Sequence, residues 1–122
     1  MNIVEETVRA TTRNSLAAWI ERHHRNVQYI NGRDTLASVK QAHAKHAGII
    51  DFAQQIGAIK FSESLQCHAA ITSIHNVSGS LIKCARLPVA NGERAKHYAH
   101  LQSHSVAACA AHVAAVLSIL RA

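Results

Sequence analysis

Backbone breakers are scarce in this chain, and where they fall constrains the fold more than any other feature. Among 122 residues there is one proline, Pro88, and there are five glycines. The pairs Asn31-Gly32 and Asn91-Gly92, with a third break at Gly57-Ala58-Ile59-Lys60-Phe61, divide the chain into four segments of nearly equal length. Helices are expected over about 3–30, 35–56, 62–87 and 92–121. The ends carry local signals. Asn2 and Glu5 have capping-box-like spacing, and Asp34 is a good N-cap for the second segment. Segment three starts at Ser62 and stops before Pro88, because the residue preceding a proline resists helical geometry. Glu93 sits favourably in the first turn of segment four.

Turning each segment on a wheel at about 100° per residue gives every one an apolar stripe. The first offers Val4, Val8, Leu16, Trp19, His23, Val27 and Ile30. The second offers Leu36, Val39, Ala42, His46, Ile49, Ile50, Ala53 and Ile56. The third offers Cys67, Ile71, Ile74, Val77, Ser78, Leu81 and Ala85, and the fourth Tyr98, Leu101, Ser105, Cys109, His112, Val116, Ile119 and Leu120. Apolar residues make up 48% of the chain, but aromatic residues only 4%, a balance that suits close-packed helices rather than sheets. The expected fold is all-α: a single-domain, up-down-up-down four-helix bundle spanning residues 1–122.

The same composition bounds function. The start, Met1-Asn2-Ile3-Val4-Glu5-Glu6, lacks the basic and apolar pattern of a secretory signal, and Val106–Leu120 falls short of a membrane span, so the cytoplasm is the expected compartment and no membrane partner is expected. Cys67, Cys84 and Cys109 are an odd number without a Cys-x-x-Cys pair, which reads as reduced thiols. A net charge of +6 favours acidic partners, but the cations are scattered, which weighs against nucleic acid. Glycine-rich phosphate loops and nucleophile elbows are absent, and no catalytic constellation is linked by spacing, so a non-catalytic protein is expected.

Ten histidines are the remaining signal. His97, His100 and His104 share the far side of helix four with Ala107, Ala108, Ala111 and Ala115. Small residues on an outer helix face allow another helix to approach closely, which points to a homodimer through His97, His100, His104, Ala108, Ala111 and Ala115. Protonating that face would bring like charges together at such a contact. An unidentified protein partner completes this reading.

Two alternatives use other histidines. Cys67, Cys109 and His112, with His46 or His68 as a fourth ligand, would suit tetrahedral Zn²⁺ or another transition metal if the helices align them. His43 and His46, three residues apart, share the pair geometry of His97 and His100. The stretch His75-Asn76-Val77-Ser78-Gly79-Ser80 resembles the histidine phosphotransfer domain, a four-helix bundle with an exposed phosphoacceptor histidine followed by Lys and Gly. The resemblance would make His75 the phosphoacceptor, with small Gly79 admitting the donor. Ser78 stands where that family has its lysine.

Overall fold

The computed structural model describes residues 2–27 and 36–122, and within these it is all-α with four helices. They are α1 (Ile3–Val27), α2 (Leu36–Gln55), α3 (Phe61–Ala85) and α4 (Asn91–Leu120). The Asn31-Gly32 turn, the Asp34 cap and the side chains of Val27, Ile30 and Leu36 lie outside the described residues.

Local chemistry sets the ends. The Asn2 side chain accepts a hydrogen bond from the Glu5 N–H at 2.8 Å, capping α1. Helix α2 stops at Gly57, whose φ of 77° lies in the left-handed region that a side chain would oppose. The Gly57 N–H then bonds the Gln54 carbonyl and the Ala58 N–H bonds that of Ala53, both at 3.0 Å, in a Schellman closure. Ala53 and Ala58 are both buried, supplying the apolar contact of that motif. Helix α3 starts one residue before the expected Ser62 and ends two before the expected boundary, in a turn ahead of Pro88.

Cross-helix pairs give the directions. His43 meets Thr72, while Asp51 meets His68, so α2 and α3 are antiparallel. Trp19 and His23 of α1 both pack on His46 of α2, and Cys84 of α3 lies against Arg94 of α4. One continuous core joins Leu16, Ile20, Ile50, Ile71, Val113 and Leu120 with Cys67 and Cys109. Fully burying an Ile or Leu is worth roughly 1.5–3 kcal/mol, so these side chains dominate cohesion.

At the end of the bundle where α2 turns into α3, Arg13 ties four elements together. Its guanidinium donates to both Glu63 carboxylate oxygens at 2.8 Å, to the Ala58 carbonyl at 3.2 Å and to the Ile119 carbonyl at 2.9 Å. Glu63 also accepts the Lys60 N–H at 2.8 Å, capping α3. The Arg13 hydrogen bonds hold the Glu63 carboxyl down at about 2.

Helix α4 contains a π-helical turn, Gln102–Val106. One residue is added to the turn there, which rotates the two halves relative to each other. Beyond it Cys109, Val113, Val116 and Leu120 are buried; before it no residue of Asn91–Leu101 is. Val113 replaces His112 as the core position, and Tyr98, expected on the stripe, is exposed. In α1 the stripe is corrected likewise: Val4 and Val8 are exposed, and the core is met instead by Ala17 and Ile20. Ile49, Ile56 and Ala85 are exposed as well.

Candidate interaction surface

The described residues offer no group of three or more His, Cys, Asp or Glu side chains able to hold a metal ion. The expected set of Cys67, Cys109, His112, His46 and His68 is therefore not assembled. Helix rotation separates it. His46 turns towards α1, its ring centroid 4.2 Å from Trp19 and 3.8 Å from His23. His68 turns towards α2, its Nε2 2.8 Å from Asp51 Oδ1. His112 is half-buried on α4. Burial pushes the Cys67 thiol up to about 11 and raises Cys109, which also bonds Ser73.

The pair His43 and His46 is split between two interfaces. His43 Nε2 lies 3.2 Å from the Thr72 hydroxyl, and its ring is 4.8 Å from that of His75. His75 Nδ1 faces the Val39 carbonyl at 3.3 Å. Nε2 is the His75 ring nitrogen with no hydrogen-bond partner among the described residues. Ser78 donates to the Ile74 carbonyl at 2.8 Å and is buried, so it points into the core rather than beside His75. Burial lowers the pKa of His43, with repulsion from His75 and His68 adding to it. Burial likewise lowers His23, and His46 falls to about 4 because it is buried and faces His23, His43 and Lys45.

Every residue of the expected α4 face is exposed: His97, His100, His104, Ala108, Ala111 and Ala115. The His100 and His104 rings stack at 4.2 Å, and His104 Nδ1 lies 2.9 Å from the Ser103 hydroxyl. Beside this face runs an open groove of about 530 Å³ between α3 and α4, with Thr72, Asn76, Ser80 and Ser105 on its walls. Helix α4 is long and apolar enough to cross a membrane, by length and composition, whereas the Val106–Leu120 stretch read alone is too short. Only 22% of its most apolar stretch is buried.

A second apolar surface escaped the helical wheels. All exposed large apolar side chains among the described residues, apart from Tyr98, lie on the start of α1 or along the α2–α3 hairpin: Ile3, Val4, Val8, Ile49, Phe52, Ile56, Phe61 and Leu65. Both phenylalanines of the chain are among them, Phe52 at 60% and Phe61 at 65% exposure. A signal was present, since neither Phe nor Leu65 fits a stripe. Between α1 and α2 this surface opens into a cleft of about 250 Å³ lined by Thr12, Ser15, Leu16, Trp19, Ile49, Phe52 and Ala53.

The chain matches no protein-family model, no curated protein and no solved structure. Its surfaces are what speak for function.

Proposed function

We infer that this is a non-catalytic helical-bundle protein of the cytoplasm that self-associates through the outer face of α4 and acts by binding a macromolecular partner. One observation carries the reading. In the 30-residue helix α4 only 22% of the most apolar stretch is fully buried, and Ala107, Ala108, Ala111, Ala114 and Ala115 of its apolar second half are exposed. Large apolar surfaces on soluble proteins mark interaction sites. Ala108, Ala111 and Ala115 fall on adjacent turns beyond the π-turn and are small enough to let a second helix approach to close backbone distance, while His100 and His104 are exposed before and within that turn, on the half of α4 rotated relative to them.

Sedimentation equilibrium of the untagged chain over a wide concentration range tests this. A mass of at least two chains is expected, falling by one level of association in Ala108→Glu/Ala111→Glu with helicity unchanged. A strict monomer at high concentration would refute self-association, and partition of the protein into lipid vesicles would assign the apolar face of α4 to a bilayer instead.

A further inference from the structure

The first turns of α1 form a helical arm with no support from their own bundle. Residues 2–11 are all exposed, with Val4 at 70% and Val8 at 52%. A helix of about ten residues is marginal in water, and helices in proteins owe their persistence mainly to a packed apolar face. Among the described residues nothing covers this one.

The arm leads directly into the cleft between α1 and α2. Val4, Val8, Thr11, Ser15 and Trp19 recur every three to four residues, so they share one side of α1, and Ser15 and Trp19 form the α1 wall of the cleft. The opposite wall is Ile49 and Phe52. At the far end of the cleft stand Arg22 and Lys45, both near enough to lower the pKa of His23. Among the described residues Glu5, on the flank of that side, makes no ion pair, whereas Glu21, Asp51 and Glu63 are each paired within the bundle. The arm thus has the apolar spacing and the charge that the cleft lacks.

We propose that two copies of this chain exchange these arms, the start of α1 from each lying antiparallel in the α1–α2 cleft of the other. An antiparallel pairing of the two α1 helices about Thr11 and Thr12 sets Val4 of one copy level with Trp19 of the other and Val8 level with Ser15. It also brings Glu5, on the flank of the Val4 and Val8 side, level with Ala18, one turn short of Arg22. The contact is reciprocal, as a twofold interface must be. It extends the self-association reading with a contact that does not use α4.

The test combines two double variants of the full chain. Val4→Glu/Val8→Glu removes the arm contact and Ala108→Glu/Ala111→Glu the α4 contact, each at exposed positions that leave the core intact. If both contacts form, each double variant loses one level of mass by light scattering and the fourfold variant is monomeric. If only the arms pair, the arm variant alone is monomeric and the α4 variant keeps the wild-type mass. Wild-type mass in the arm variant overturns the proposal, whatever α4 does. Two further readouts bear on the register. Glu5→Lys should weaken association at least tenfold and Arg22→Glu should restore it. The Val8→Cys/Ser15→Cys chain should cross-link to a covalent dimer on mild oxidation; failure of both the charge rescue and the cross-link would also overturn it.

Discussion

The imidazole of His46 should make this bundle lose stability in mild acid, by an amount that one substitution can isolate. Its ring is wedged edge-on to Trp19 and 3.8 Å from His23, and it is 7% exposed. Burial first, then His23, His43 and Lys45, hold its pKa at about 4 against an ordinary 6.5. The sign follows from linkage. Below the ordinary value the unfolded chain takes up a proton that the folded chain refuses, so stability is complete above about pH 6.5 and falls as pH drops towards 4. At 1.36 kcal/mol per pH unit, the gap is worth about 3 kcal/mol in full, of which about 2 kcal/mol is already lost at pH 5. For a domain of this size that lowers the midpoint of thermal unfolding by roughly 6–10 °C. His23, His24 and His43 are also lowered by burial and act in the same direction, so the wild-type slope exceeds the contribution of His46 alone. The assay is urea unfolding followed by circular dichroism at several pH values from 8 to 4.5, for wild type and His46→Gln. The glutamine variant is expected to be less stable at pH 8, through lost packing on Trp19, but to have a shallower decline below pH 6.5, so that the two curves converge. Parallel curves across that window would refute the assignment of acid sensitivity to the His46 site.

The Arg13 cluster makes an independent claim. Arg13→Met leaves the Glu63 carboxylate without its guanidinium and the Ala58 and Ile119 carbonyls without a donor, and with both side chains mostly buried the loss should be about 3 kcal/mol in urea unfolding. Because the Glu63 carboxyl is held at about 2, the wild-type pair is complete above about pH 4.5 and is lost only as pH falls towards 2, so the variant penalty should be constant from pH 8 to 5; a penalty that vanishes at pH 6 would contradict the geometry. Cys67 and Cys109 should resist alkylation by iodoacetamide at pH 8 in the native state and react fully in urea, as read by intact mass, since both are buried and burial raises both thiols. Rapid native labelling of either would show that the core opens readily.

What the sequence made legible was the part governed by backbone punctuation. Gly57 and the capping by Asn2 are short-range effects, complete within a few residues, and the helix ends they mark fall where expected within one or two positions. Positions on α3 were also read well, because this helix meets neighbours from several directions and a broad arc of it is buried. The wheel was less accurate where one of its two premises failed. It assumes a constant 100° step, and the π-turn at Gln102–Val106 breaks that step, moving the inner position from His112 to Val113 and leaving Tyr98 outside. It also assumes that an apolar stripe faces its own core along the whole helix, and α1 continues past the end of the bundle, so Val4 and Val8 lie on a stripe that nothing among the described residues covers.

The histidines show why ligand sets are harder to read than cores. Residues three apart lie about 60° apart around a helix, close enough to seem paired and far enough to enter different interfaces when the helix has a neighbour on each side. His43 and His46 do this, one reaching Thr72 and His75 across α3 and the other Trp19 and His23 on α1. A core position needs only the right hemisphere to be buried, whereas a metal ligand must converge with others from separate helices. Spacing within one helix carries the first kind of information and none of the second, which resides in the rotation of α2 between α1 and α3. The same rotation that keeps the expected metal ligands apart builds the Trp19, His23 and His46 cluster, and with it the acid sensitivity predicted for the fold.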